Sequence, residues 1–168
     1  MAALPAGGVM IAIDAAEDEV LPLLTDRVSI AAINGPRSVV ISGEEAAATD
    51  LAKQFRRSNR LKVSHAFHSP LIEPMLDEFR AVAGRLTYRE PEIALISGLT
   101  GRSVTKIDAE YWVRHARDTV RFTDAVETLT PGTTMFLEIG PDAVLSRATK
   151  PAVSTTHSGQ CLDRKSVV

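Results

Sequence analysis

Val28–Gly43, VSIAAINGPRSVVISG, holds two apolar, β-branched runs separated by Gly35-Pro36-Arg37. Runs of this kind around a tight-turn signal predict two paired strands, Val28–Asn34 and Ser38–Gly43. Upstream, Val9–Asp14 (VMIAID) reads as another short strand, and Glu17–Leu24 as a short helix with acidic residues in its first turn. Downstream, the Ala-rich Glu44–Ser58 predicts a helix with Ala47, Leu51, Gln54 and Phe55 near one face, and Arg56 and Arg57 at the end where cations suit the helix dipole. Arg60–Ser64 closes the series as an edge-like strand. The order β-α-β-β-α-β over residues 9–64 is that of a ferredoxin-like small subdomain.

From residue 65 to 148 the rhythm changes to longer helices between single strands. Ser69-Pro70 opens a helix whose apolar positions are Leu71, Met75, Phe79, Val82 and Leu86. Glu92–Ser97 (EIALIS) and Met135–Ile139 (MFLEI) read as buried strands. Asp108 reads as the N-cap of a segment from Ala109 towards Leu129, broken near Asp118-Thr119. Gly140-Pro141-Asp142 opens a last short helix containing Val144 and Leu145. Such alternation predicts part of a parallel α/β sheet, with too few strands to stand alone, so residues 9–64 are expected to be the better-ordered part.

The whole chain has 168 residues, 45% hydrophobic and 24% charged, with a formal net charge of −2. That composition suits a globular chain. Its Lys and Arg residues read as scattered, which argues against nucleic acid as a partner. The single cysteine, Cys161, excludes a disulfide framework and paired-cysteine metal motifs, and a reducing cytoplasm fits it. No stretch has the roughly 18 apolar residues of a membrane span, so no membrane is expected as a partner.

Chemistry concentrates in Ser64-His65-Ala66-Phe67-His68-Ser69-Pro70, between a strand and a helix start, where α/β proteins hold reacting groups. Spacing alone leaves His65 and His68 equally readable as surface or helix-capping histidines. No acid, cysteine or third histidine stands at a ligand offset, so no metal site is expected. The more useful reading of His68 is a general base that deprotonates a nucleophile supplied elsewhere.

Five ordered motifs then carry a resemblance: LPAGG at 4–8, NGPRSVVISG at 34–43, VSHAFHSP at 63–70, YWVR at 111–114 and FLEIGP at 136–141. Residues 4–148 resemble the acyltransferase domain of modular type I polyketide synthases. That resemblance implies the ferredoxin-like subdomain over 9–64, followed at 65–148 by the C-terminal part of a hydrolase-like α/β acyltransferase core. It also implies transfer of a malonyl group from malonyl-CoA to the phosphopantetheinyl thiol of an acyl carrier protein through an acyl-serine, with no bound cofactor. Neighbouring polyketide synthase domains are the further implied partners. In the family, the counterpart of His68 is the base for the serine, and a backbone carbonyl, mapped here to His115, orients it. The HAFH version of the loop implies malonyl selectivity through His65, Ala66 and Phe67, because the Phe67 ring occupies the space an α-methyl group needs. A non-catalytic ferredoxin-like docking module is the alternative reading.

No G-x-S-x-G elbow occurs in the sequence. The serine and the family's carboxylate-binding arginine are expected upstream of Met1, leaving these 168 residues without turnover on their own. From Thr149 to Val168 the resemblance ends, and the polar tail is expected to be disordered. Its last six residues, Asp163–Val168, can be encoded by a common sequencing-adaptor sequence and are expected to be a scar.

Overall fold

The computed structural model describes residues 4, 7–133, 135–139, 145, 152–154, 156–157 and 160–161. Two units separate, Met1–Ala125 and Val126–Val168.

In the first unit the paired runs form β2 (Val28–Gly35) and β3 (Ser38–Glu44), antiparallel with Ile30 opposite Ile41 and Gly35 opposite Ser38. Strand β1 (Gly8–Ile13) lies on the other side of β3, and β4 (Ser58–Arg60) pairs with β1. The sheet order is β2-β3-β1-β4, every pair antiparallel. Helices α1 (Glu17–Val20) and α2 (Glu45–Ala52) follow β1 and β3.

Side chains alternate across a strand, so each strand here serves two faces. Val9, Ile11, Ile13, Val28, Ile30, Ile33, Val39 and Ile41 pack with Val20, Ala48, Leu51 and Ala52 of the helices. On the opposite face Met10, Ala31 and Val40 pack with Ala12, Ala32, Leu61 and Phe67. This second face is built largely of alanines, which lets a loop approach the sheet closely.

Three expectations change here. Helix α2 stops at Ala52 rather than Ser58, because Gln54 and Phe55 donate to the carbonyls of Leu51 and Ala52 and tighten the end into a turn. The edge strand is Ser58–Arg60, not Arg60–Ser64; Leu61 N–H makes one more bond, 2.9 Å to Met10 O, before the chain leaves the sheet. Nor are the cations evenly scattered. Lys53, Arg56, Arg57, Arg60 and Lys62 lie between Leu51 and Ile72, where no Asp or Glu occurs.

Beyond β4, Pro70–Met75 is a 3-10 helix and α3 covers Leu76–Ala83. The continuous helix expected from Ser69 is divided because Pro74 lacks the N–H an α-helix would need there. Asp108 caps α4 (Ala109–Arg117) through a 2.8 Å bond from Tyr111 N–H, and α5 (Phe122–Leu129) follows the break at Asp118-Thr119.

The buried parallel strands expected in this half are not what the described residues show. Strand β5 is two residues, Leu95–Ile96, antiparallel to β6 (Ser103–Val104). The chain folds back at once, through Gly101 N–H on Ser97 O and Ser97 N–H on Arg102 O, both at 2.8 Å. Ile93 is 83% exposed. In the second unit β7 (Phe136–Glu138) leaves Leu137 and Ile139 exposed, and it pairs in parallel with β8 (Ala152–Ser154). Most of the tail beyond Lys150 lies outside the described residues. Strands β9 (Thr156–His157) and β10 (Gln160–Cys161) pair antiparallel. The helix expected after Gly140 lies outside the described residues apart from Leu145.

Candidate active site

The segment that leaves β4 crosses the alanine-rich face of the sheet. Ala66 is buried, and a Cβ added to Gly8 would stand 2.6 Å from the Ala66 Cβ and 2.8 Å from Leu71 Cδ1. Glycine at position 8 is therefore what allows the loop to lie directly on β1. Phe67 packs on the Met10, Ala31 and Val40 cluster, and the His65 ring stands edge-on to it, with centroids 6.0 Å apart.

The loop is held from within. Ser69 is fully buried; its hydroxyl donates to Ala66 O at 2.6 Å and accepts from Leu71 N–H at 3.3 Å, capping the 3-10 helix. His68 sits between these anchors with φ of +58°. That left-handed conformation costs a non-glycine residue about 1 kcal/mol and persists only where the surroundings enforce it. Replacing Ser69 with Ala leaves the Ala66 carbonyl buried without its donor. It is expected to cost about 1–3 kcal/mol, measured as a lower urea midpoint at unchanged slope.

His68 Nδ1 lies 2.9 Å from the backbone oxygen of Asp118. A carbonyl only accepts, so Nδ1 carries the proton and Nε2 keeps its lone pair. The carbonyl that fixes the ring is Asp118's and not, as mapped from the sequence, His115's. His115 lies inside α4, whereas Asp118 is the C-cap, with extended backbone (φ −84°, ψ 165°) that frees its carbonyl from the helix. The His115 side chain is close nonetheless, its ring centroid 6.5 Å from that of His68 and 5.9 Å from that of Tyr111. Tyr111 in turn shares a 2.9 Å hydrogen bond with the buried Ser97 hydroxyl.

The Asp118 carbonyl is itself anchored to the sheet. Strand β2 is irregular between Ile30 and Ala32, and its outer edge there takes up the next residues of the chain. Thr119 Oγ1 donates to Ile30 O at 2.7 Å, Val120 N–H to Ala31 O at 2.8 Å, and Ile33 N–H to Val120 O at 2.9 Å. Arg121 continues the clamp, with bonds to Asp124 at 2.7 Å and Glu17 at 2.6 Å. These contacts place a rigid acceptor against His68, and no reading of the sequence alone identified them. The available signal was positional: a residue just past a helix end has a carbonyl without a helical partner.

Burial is the main influence on His68 and lowers its pKa below the ordinary histidine value. The Asp118 carbonyl opposes it by favouring the charged ring, and nearby His115 adds to the lowering. At neutral pH the ring is accordingly neutral, with Nε2 able to take a proton. Among the described residues no group of three or more His, Cys, Asp or Glu could hold a metal ion, and no helix is long and apolar enough to cross a membrane.

The family model for an acyl transferase domain matches residues 1–164. A phenolphthiocerol synthesis polyketide synthase type I, Pks15/1 of Mycobacterium marinum, is 53% identical over 167 residues, covering 94% of this chain and 8% of the relative. Polyketide synthase GfsA of Streptomyces halstedii is 46% identical over 170 residues, covering 95% of this chain and 2% of the relative. Among solved structures, the acyltransferase domain from the second module of the salinomycin polyketide synthase superposes with a TM-score of 0.91 at 48% identity, over 95% of this chain and 41% of that one. FabD from Acinetobacter baumannii superposes with a TM-score of 0.84 at 26% identity, over 92% of this chain and 56% of that one. The chain thus spans less than a tenth of the length of these curated relatives.

Proposed function

We propose, from the premise that this chain belongs to the acyl transferase domain family, that it supplies the histidine side of a site that moves a malonyl group from malonyl-CoA to an acyl carrier protein. The observation that carries this reading is the His68 ring, neutral, with its Nδ1 proton on the Asp118 carbonyl and Nε2 without a hydrogen bond among the described residues. Nε2 takes the proton of a serine hydroxyl as that oxygen attacks the thioester. The resulting imidazolium returns a proton to the departing coenzyme A thiolate, and the acyl-serine remains. In the second transfer Nε2 takes the proton of the carrier thiol, which attacks the acyl-serine and regenerates the hydroxyl. One histidine suffices because each half-reaction restores what the other used. The orienting carbonyl in this reading is that of Asp118, and the His115 ring stands beside His68.

Two finer readings belong to the same proposal. The order β2-β3-β1-β4 with its two helices supports describing residues 9–64 as a ferredoxin-like subdomain. The absence of any G-x-S-x-G supports a nucleophile drawn from outside these 168 residues, so that the chain alone does not turn over. Neighbouring synthase domains would then surround it, in the cytoplasm.

The test is a chimera in which this chain follows the serine-bearing part of the Mycobacterium marinum relative's domain. Malonyl-CoA should label its serine, and added carrier protein should remove the label; an unlabelled but folded chimera would refute the reading.

Selectivity follows from the loop's packing. Phe67 rests on the Met10–Val40 cluster and cannot retreat into the sheet, so its ring should exclude an α-methyl group. One methyl is worth about 1–3 kcal/mol in such a pocket. Phe67→Ser combined with His65→Tyr in the chimera is expected to lower the malonyl preference over methylmalonyl by about tenfold without inverting it. Competition between the two thioesters, read from the mass of the acylated protein, measures it.

A further inference from the structure

We infer that His115 is a positioning residue for the base, its clamped ring packing against the His68 imidazole and setting the plane in which Nε2 is presented. The inference rests on the transfer reaction proposed above. The two rings stand with centroids 6.5 Å apart and planes 73° from parallel, inside the range where edge-to-face pairs attract. The hydrogen bond to the Asp118 carbonyl fixes one atom of the His68 ring. The last torsion of a histidine is broad, so one fixed atom leaves the ring free to tilt, and a packed neighbour is needed to set its plane. His115 lies in the last turn of α4 and Asp118 is the C-cap, three residues on. One helix end thus supplies both the carbonyl and the ring.

The His115 ring is itself held on its other sides, which sets it apart from an ordinary helix-face residue. Tyr111, one turn earlier on α4, lies 5.9 Å away with its ring tilted by 31°, and Trp112 meets the imidazole edge-on at 5.8 Å. The turn between β5 and β6 lies against it as well: a Cβ added to Gly98 would stand 3.3 Å from His115 Nε2 and 3.7 Å from Val120 Cγ1. That turn is braced. The buried Ser97 hydroxyl shares a 2.9 Å bond with the Tyr111 hydroxyl and accepts from Leu99 N–H at 3.0 Å, while Gly98 O accepts from Arg121 N–H at 2.6 Å. Contacts therefore run from Ser97 through Tyr111 and His115 to His68, and from Gly98 back to the segment that carries the Asp118 carbonyl. Gly98 is not one of the glycines with positive φ, so an alanine there meets no backbone strain and acts through what its methyl touches.

The experiment reads the His68 tautomer by NMR of the 168-residue chain labelled with 15N-histidine. His115→Ala should lower the ratio of Nδ1-protonated to Nε2-protonated ring by about two- to tenfold, the worth of one edge-to-face contact. His115→Phe keeps a ring in the clamp and should hold the ratio within about twofold of the wild type. Gly98→Ala should push the His115 ring by a few tenths of an ångström. It should move the His68 signals when His115 is present and leave them unmoved in His115→Ala, the coupling of two residues that act in series. An unchanged ratio in a His115→Ala chain with a native urea midpoint, or a Gly98→Ala effect of equal size in both backgrounds, would overturn the inference. If His115→Ala fails to fold, unmoved His68 signals in Gly98→Ala alone would overturn it. In the chimera, His115→Ala should slow serine labelling by about two- to tenfold at an unchanged KM for malonyl-CoA, because a tilted base impairs proton transfer and not thioester binding. An unlabelled wild-type chimera would count against the transfer reaction, whereas the tautomer ratios, read without any serine, decide the positioning role alone.

Discussion

His68→Ala in the chimeric domain is expected to slow acyl-serine formation by about 10²–10⁴-fold, the range for losing a general base. His65→Ala is expected to do far less, because its ring lies against Phe67 and makes no hydrogen bond among the described contacts of the loop. The contrast matters because both histidines are on one short loop and both are half-buried. Stopped-flow labelling with malonyl-CoA gives the two rates; equal losses would show that the loop was disrupted rather than that a base was removed. The pH dependence carries the same information. Burial depresses the His68 pKa, so the acid limb of the wild-type rate should fall below the ordinary histidine value and be absent in His68→Ala. Stability is linked to the same group: between the depressed pKa and the ordinary one the unfolded chain binds more protons than the folded chain. The favourable contribution of the neutral buried ring is then complete above the ordinary value and is lost as pH falls through the depressed one.

Ile41→Ala is the second large effect, expected to destabilise the first unit by about 2–5 kcal/mol. Ile41 is fully buried on β3, which lies between β1 and β2, and it faces Ile11 on one neighbour and Ile30 on the other. A cavity there opens in the middle of the sheet, where no mobile side chain can collapse to fill it. Because Phe67 and Ala66 rest on the same sheet, the loss should reach the His68 loop as well. Hydrogen exchange on the 168-residue chain should show the strongest protection over residues 9–44 in the wild type, and a broad loss there in the variant. A change below about 1 kcal/mol in the urea-derived stability would contradict this view of the core.

The strand pair β2 and β3 was legible because its strands announce themselves through β-branched runs and a Gly-Pro turn, signals that act over a few residues. Asp108 and the break at Asp118-Thr119 were legible for the same reason: capping and helix termination are local. Element ends were less so. The end of α2 depends on where the chain must turn to reach β1's free edge, and the 3-10 helix at Pro70–Met75 depends on Pro74, whose effect is hidden when only apolar spacing is counted.

The site divides along the same line. His68 stands in a motif, and a motif is a local object. Its partner is fifty residues away and acts through a backbone atom, so no side-chain identity marks it. A motif mapping chose His115, three residues early, inside the helix; the distinction between a helical carbonyl and a freed one exists only once the helix end is placed. The exposed Ile93, Leu137 and Ile139 were read as buried for a comparable reason, since apolar strands signal burial without saying what will cover them.

The protonation state of His68 is the point on which the catalytic reading turns, and nitrogen-detected NMR of the 168-residue chain labelled with 15N-histidine measures it directly. A neutral ring is expected at pH 7, protonated on Nδ1 with Nε2 bare, titrating below the ordinary histidine value, and a distinct change when Thr119→Val removes the side-chain bond to Ile30 O beside the Asp118 carbonyl. A ring protonated on Nε2, or one titrating at or above that value, would contradict it.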